Sequence, residues 1–405
     1  MLILKMALRN IFRQKRRTIL TGLSMLVGFV LAVIFIGWSD GAYNNIIRTF
    51  TGNRLGHIQI HEKTYTNRPS LYKTIDDLSQ ISETLHQIKE VQSWAPRLFS
   101  AGLVSVGEKS AGVQIIGIDP EKETKTTHFD KKVIKGRNFS QAPSHEAIIG
   151  KGLAEILNAG VDDEIVIISQ AADGSIANDL YTIIGISSSG DDISDRISFY
   201  LPLREAQELL VLEGLVHEIA VTVDKLSHVS RVNTLITEKL QNPELIVEPW
   251  QVFAKSFYQA MQADKEGMWI MLVVIVLIVA VGVLNTVLMS VLERRREYGL
   301  LKAVGTKPRQ IITLVLLEVT ILAMLSLLLG TGLGLGANSF LSTHGIKFGE
   351  GFTYGGMKFD TMYSEVNARS FIIPAVTVLL CALLVSFYPS LKAAKTEPAK
   401  TMRMQ

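Results

Sequence analysis

The chain has 405 residues, 48% of them hydrophobic and 20% charged, with a formal net charge of +3 and a single cysteine. So small a net charge excludes the uniformly basic surface of a nucleic-acid binder, and one cysteine excludes an internal disulfide. The apolar residues are gathered rather than spread, into stretches 18–38, 268–292, 311–337 and 370–388, interrupted by no charge except Glu318. Each stretch is long enough, at about 1.5 Å per helical residue, to cross a hydrocarbon core of roughly 30 Å. The pattern predicts an α-helical membrane protein with four transmembrane helices and an α+β extracytoplasmic (periplasmic) domain inserted between helices 1 and 2.

Residues 1–17 open the chain as a cytoplasmic amphipathic helix, with Leu4, Leu8, Ile11 and Phe12 on one stripe and Lys5, Arg9, Arg13 and Arg16 beside it. The following span, 18–38, is longer than a signal-peptide core, and Gly37-Trp38-Ser39-Asp40-Gly41 offers no small-residue cleavage site, so it is read as an uncleaved anchor. Residues 39–266 mix short strands, at 57–61, 113–118, 164–169, 181–186 and 217–223, with helical periodicity at 78–88, 151–157, 203–212 and 226–240. The Gly/Asp/Ser-rich stretches 171–178 and 187–195 read as hairpin or surface loops. Two lobes are expected, 57–125 with 215–250, and 130–210 inserted between them. Helical stretches 40–50 and 250–265 abut the first two spans and are expected to extend them as a stalk.

The second span, 268–292, carries Asn285, a residue suited to hydrogen bonding between helices. A cytoplasmic loop, 293–310, follows. The third span, 311–337, holds Glu318 and the glycines Gly330, Gly332, Gly334 and Gly336, whose expected role is close helix packing. Residues 338–369 form a loop on the far side, 370–388 the fourth span with Cys381, and 389–405 a cytoplasmic tail. Orientation follows from the flanking charges. Residues 1–17 hold six basic and no acidic side chains, 293–310 six basic and two acidic, and the tail four basic and one acidic, whereas 39–266 holds 22 basic and 31 acidic. Lys and Arg beside a span resist translocation, which places both termini and the middle loop in the cytoplasm.

Candidate chemistry is sparse. His57 and His61 share a strand face as two metal ligands would, but no third ligand stands nearby, and no metal site is expected. The sequence contains no G-x-x-x-x-G-K-[ST] phosphate loop, so no ATPase site or other cofactor site is expected in the chain. Glu318 lies about two turns into its span, where a carboxylate either faces protein or snorkels to the headgroups. The loop 293–310 contains a short helix-forming run closed by Gly305, with Leu300, Leu301 and Val304 among charges, as in a surface built to dock on a partner.

That run, Arg296-Glu297-Tyr298-Gly299-Leu300-Leu301-Lys302-Ala303-Val304-Gly305, resembles the signature of FtsX-like ABC permeases. The opening Ala7-Leu8-Arg9-Asn10-Ile11-Phe12-Arg13, Glu318 early in span three, and the ending Tyr388-Pro389-Ser390-Leu391-Lys392-Ala393-Ala394 through Pro398 are similar to further family motifs. Residues 146–150 and 181–186 look like the family's periplasmic core, of the MacB type. The resemblance implies a mechanotransmission (type VII) ABC permease of the bacterial inner membrane, closest in layout to lipoprotein-releasing LolC/LolE-type subunits. It further implies a separate ABC ATPase partner that binds ATP and Mg, and a second permease subunit. Membrane lipids, a lipoprotein cargo and a periplasmic carrier complete the implied partners. The ATPase-coupling residues it implies are Arg296, Glu297, Gly299, Leu300, Leu301, Lys302, Ala303 and Gly305. MacB-like efflux of peptides or drugs with a membrane-fusion partner is the alternative within the class, and a non-transporting signalling or scaffold protein the alternative outside it.

The charge asymmetry makes a direct prediction. Cysteines placed at Ser110 and Thr343 should react with an impermeant thiol reagent on intact spheroplasts, and one at Thr306 should not. Labelling of Thr306 in sealed cells would invert the topology.

Overall fold

The computed structural model describes residues 2–13, 15–140 and 145–397. The helices, in chain order, are α1 (Leu2–Arg13), α2 (Lys15–Phe50), α3 (Leu78–His86), α4 (Pro120–Thr127), α5 (Lys151–Leu157), α6 (Asp192–Asp195), α7 (Leu203–Leu210), α8 (Val229–Leu240), α9 (Trp250–Phe253), α10 (Lys255–Glu293), α11 (Arg295–Ala303), α12 (Pro308–His344) and α13 (Ala368–Ala394). The strands are β1 (Ile58–Glu62), β2 (Val91–Val106), β3 (Lys109–Ile118), β4 (Val133–Gly136), β5 (Glu146–Gly150), β6 (Glu164–Gln170), β7 (Ile176–Ser187), β8 (Ser198–Pro202), β9 (Glu218–Val223), β10 (Leu245–Pro249), β11 (Ile346–Tyr354) and β12 (Met357–Met362). The chain divides into two compact units. One takes Asn45–Ala260 and Phe348–Asp360, and the other takes the rest.

The helical unit holds the four helices long and apolar enough to cross a membrane, α2, α10, α12 and α13. All four are longer than the apolar stretches that predicted them, because polar turns continue the helix at their ends. Small residues set their packing, as expected where lipid offers no hydrophobic contrast. A side chain added at Gly330 would meet the Phe29 ring at 2.6 Å, and one at Gly334 would meet Val33 at 3.0 Å, whereas Gly332 and Gly336 face open space. Only two of the four glycines therefore serve helix packing. Polar contacts pin the same interface. Asn338, fully buried, donates to the Val33 carbonyl at 3.3 Å and accepts from Ser364 at 3.1 Å, and Ser326 donates to the Gly22 carbonyl at 2.9 Å.

The α+β unit is built on one ten-stranded sheet in the order β10-β1-β9-β2-β3-β8-β5-β7-β4, with β6 pairing β2 and β7. The two lobes expected from the sequence are thus halves of one sheet. Strand β2 joins them. Its 16 residues pair with β9 over Val91–Arg97, with β3 over Arg97–Val106 and with β6 over Gly102–Ser105. A second seam runs where β3 pairs with β8 in parallel. Leu98, Val104, Ile115, Ile149, Ile165, Phe199 and Leu201 fill the core beneath both halves, with Ala206 and Leu210 of α7. Beside them a buried guanidinium, Arg97, lies between Glu123 at 2.6 Å and Glu218 at 3.1 Å. Burial opposes the charged form of both carboxyls; Arg97 overcomes it at Glu123, while Glu218 remains pushed up to about 6.

Two segments differ from expectation. Residues 338–369 are not a loop: α12 runs on to His344, β11 and β12 form a hairpin, and Asn367 caps α13 through the Ser370 N–H. The hairpin turns on Gly355 and Gly356, at φ 58° and 86°, the positive pair that a two-residue turn requires. Its Tyr354 ring meets Phe257 edge-on at 5.9 Å, and Met357 forms a bridge with Asp191. The 250–265 helix is also broken at Ala254 (φ −103°, ψ 42°), which separates α9 from α10. Phe257, one turn beyond that break, stacks on Phe50 at 3.8 Å.

Candidate functional site

The short helix α11 stands on a polar hub at the end of the helical unit. After α10 ends at Glu293, Arg294 leaves helical geometry (φ −89°, ψ 13°) and turns its side chain inward. There its Nη1 donates to both Glu318 oxygens, at 3.0 and 2.9 Å, and its Nε donates to Glu297 at 3.0 Å. Burial works against the Arg294 charge, but the neighbouring Tyr298 and Glu318 hold its pKa above the ordinary arginine value. Asn10 of α1 donates to Glu318 at 2.5 Å, Arg13 pairs with Glu297 at 3.2 Å, and Arg17 pairs with Glu293. The side chains of Arg294 and Glu318 are 8% and 14% exposed. Of the two readings left open by the sequence, Glu318 faces protein.

The hub gives α11 two distinct faces. Tyr298 and Gly299 are buried, and Leu301 packs against the same cluster, which includes Ile311, Ala393 and Ala394. Lys302 donates to the Ala394 and Thr396 carbonyls at 3.1 and 2.9 Å, capping backbone acceptors at the end of α13. On the other side Arg296, Leu300, Ala303 and Val304 are exposed, at the i, i+4, i+7, i+8 spacing of one helix face. Leu300 is 60% and Val304 82% exposed. Gly305 (φ +98°) closes the helix. Its N–H donates to the Lys302 carbonyl and the Thr306 N–H to the Leu301 carbonyl, both at 3.0 Å, a Schellman arrangement.

The eight residues singled out from the sequence therefore separate. Arg296, Leu300, Ala303 and Gly305 are exposed. Glu297, Leu301 and Lys302 bind the chain's own elements, and Gly299 is buried. Val304, read from the sequence as part of the docking surface, is exposed beside the first four. Arg294, Tyr298, Asn10, Arg13 and Arg17 belong to the site without having been assigned a role in it; Tyr298 stood in the signature run and Asn10 and Arg13 in the opening motif. Asn285 is exposed on α10, and among the described residues no other helix of this chain takes up its amide. Pro398, the last residue of the C-terminal motif, and the tail beyond it lie outside the described residues.

The two histidines of the pair take separate hydrogen bonds. His57 Nδ1 accepts from the Val223 N–H at 3.0 Å, and His61 Nε2 lies 3.1 Å from the Thr66 hydroxyl. Burial pushes both imidazoles down to about 4. Among the described residues no group of three His, Cys, Asp or Glu is placed to hold an ion.

Four helices long and apolar enough to cross a membrane, an α+β domain after the first of them, and a short two-faced helix between the second and third are the layout of a membrane permease subunit. Comparison with known proteins makes the class specific. Residues 18–239 match the MacB-like periplasmic core domain and residues 269–398 the FtsX-like permease C-terminal domain, so the chain belongs to the FtsX-like, MacB-type ABC permease family. It is 22% identical to the lipoprotein-releasing system transmembrane protein LolC of Neisseria meningitidis, covering 78% of this chain and 79% of that one. It is also 22% identical to the macrolide export ATP-binding/permease protein MacB of Bdellovibrio bacteriovorus, covering 96% of this chain but 60% of that longer one. The solved periplasmic region of MacB from Actinobacillus actinomycetemcomitans aligns with TM-score 0.38 and 17% identity, over 52% of this chain and 94% of that one.

The Gly305 geometry yields a prediction. A β-branched residue in a left-handed position costs on the order of 1–2 kcal/mol, which falls on the closure of α11 alone because nothing crowds Gly305. Gly305→Val should leave membrane abundance near wild type and reduce co-purification of the ABC ATPase several-fold. Loss of the variant from the membrane would make Gly305 a folding residue instead.

Proposed function

We propose that this chain is the transmembrane subunit of an inner-membrane ABC transporter that converts ATP hydrolysis by a separate ATPase into movement of its own α+β domain. In this reading both termini and α11 are cytoplasmic, and the α+β domain is periplasmic. ATP and Mg bind the partner, and this chain performs no catalysis. The observation that carries the reading is the two-faced α11. Its inner face is tied by ion pairs and a lysine cap to α1, α12 and α13, while its outer face offers Arg296, Leu300, Ala303 and Val304. A helix held so firmly on one side transfers a push from a docked ATPase to the spans rather than absorbing it.

The cargo we propose is lipoprotein, extracted from the outer leaflet of the inner membrane and passed to a periplasmic carrier, with a second permease subunit completing the assembly. The similarity to LolC over most of both chains supports this. MacB-like efflux with a membrane-fusion partner is the second reading, favoured by matches to MacB proteins that span up to 99% of this chain.

Motion of the α+β domain requires rigid connections to the helices. The chain passes from one unit to the other within α2 and within α10 after Ala254, and again at the β11–β12 hairpin, whose residues Phe348–Asp360 belong to the α+β unit. Ala260→Pro in α10 should introduce a kink and cost roughly 3 kcal/mol of local helix stability. Reconstituted in nanodiscs with the ATPase, the variant should assemble and hydrolyse ATP, yet release lipoprotein at a small fraction of the wild-type rate. Release at the wild-type rate by a fully inserted variant would contradict transmission through α10. It would favour a carrier path within the four spans.

A further inference from the structure

The charged cluster around Arg97 opens on a cavity inside the α+β unit. Side chains alternate along β2, β3 and β8, so Leu98, Ile115 and Leu201 face the main core while Arg97, Phe99, Ile116, Ile118 and Tyr200 face the other side of the sheet. The register sets Glu218, Arg97 and Ile118 in one row across the strands, and Phe99, Ile116 and Tyr200 in the next. Over this face α4 brings Glu123, and the 3₁₀ turn Phe129–Lys132 brings both of its end residues. Between the sheet and these segments lies a cavity of about 320 Å³, within the size range of small-molecule sites. Tyr65 and Pro69, from the loop between β1 and α3, also line it. Tyr65 stacks on His217 at 5.3 Å, and Lys73 Nζ holds the loop by donating to the Thr64 and Arg68 carbonyls, both at 2.8 Å.

Most charges around this cavity are matched. Arg54 pairs with Asp191 at 2.6 Å, and Arg97 gives three of its five N–H groups to Glu123 and Glu218. Lys132 is the exception. Among the described residues it has no ion pair and one hydrogen bond, to Thr127 Oγ1 at 3.3 Å. Burial pushes its amine down to about 8, a cost that an anion beside it would relieve. The remaining N–H groups of Lys132 and Arg97 make the cavity rich in donors, while its wall at Phe99, Ile116, Ile118 and Phe129 is apolar. We propose that this cavity binds a small organic acid, its carboxylate received by Lys132 and the free N–H groups of Arg97 and its apolar body laid against that wall. The proposal is independent of which cargo the transporter moves. Glu218 accommodates the added charge. Its carboxyl, pushed up to about 6 by burial, takes a proton when the anion enters. The groups facing Glu218 are Arg97, Glu123, Arg54 and Tyr65, with His61 as its register partner on β1, and Asp195 faces Lys132.

The test titrates the full-length chain in nanodiscs with 3-phenylpropionate, a soluble acid with an apolar body, and follows binding by saturation-transfer NMR. A Kd on the order of 1 mM is expected for so small a probe. The uncharged 3-phenylpropanamide, of the same size, should bind at least roughly tenfold more weakly. Lys132→Met should weaken binding of the acid about tenfold or more, whereas Lys131→Met, at the exposed neighbouring position, should leave its Kd unchanged. Binding of the acid should tighten about tenfold between about pH 7.5 and about pH 5.5, as Glu218 gains its proton, and Glu218→Gln should bind equally at both. Thermal unfolding checks each variant; should Lys132→Met be unstable, the amide comparison and the Glu218→Gln pH profile decide. The absence of saturable binding, equal binding of acid and amide, an unchanged Kd in a folded Lys132→Met, or a wild-type pH dependence in Glu218→Gln would each overturn the proposal.

Discussion

The buried pair of Arg294 and Glu318 is the interaction on which the helical unit depends. A carboxylate inside an apolar helix is stable only with its charge answered, and Arg294 answers it with two hydrogen bonds from the turn between α10 and α11. Two elements are thereby fixed by one residue. Arg294 cannot reach Glu318 unless α10 stops and turns where it does, and once it has turned, Glu297 and Tyr298 are carried to their inner positions. Asn10 brings α1 to the same carboxylate, and Lys302 ties the other end of α11 to the carbonyls of α13. The exposed row of Arg296, Leu300, Ala303 and Val304 is what remains after every inward position has been claimed.

The α+β unit depends on a comparable economy in one strand. β2 is long enough, at about 3.3 Å per residue, to serve β9 at one end and β6 at the other. Its pairing makes one rigid sheet of what are otherwise two local assemblies. Arg97, the last β2 residue paired with β9 and the first paired with β3, holds Glu123 and Glu218 on either side, so the strand that joins the halves also carries their buried charges. A single sheet moves as a body. That property is what the proposed drive from across a membrane would require.

Much of this was legible in the sequence, for identifiable reasons. Uncharged runs of helical length reported the four spans, and short alternating or apolar runs reported β1, β3, β6, β7 and β9. β2 was hidden because Pro96 and Gly102 interrupt its alternation, and its three partners are set by tertiary contacts. The β11–β12 hairpin was hidden by its glycines, although Phe348, Phe352 and Tyr354 already recur at even spacing. In the site, Glu318 was visible as an anomaly, but its partner stands 24 residues earlier in a run of three arginines, and nothing local distinguishes Arg294 from Arg295 and Arg296. The division of α11 into bound and open faces was equally beyond reach, because it is decided by α12 and α13 behind it.

The central claim is that the Arg294–Glu318 pair orients α11 for its ATPase, and a double-mutant cycle tests it most directly. Arg294→Met, Glu318→Met and the double variant would be reconstituted in nanodiscs, and the affinity of each for the ABC ATPase measured. Each single substitution strands a buried charge, a penalty of about 3–5 kcal/mol, and should displace α11 and weaken binding at least tenfold. The double variant strands none and should recover most of the lost affinity. Additive losses, with the double variant as weak as the two single effects combined, would show that the residues act separately and would contradict the account.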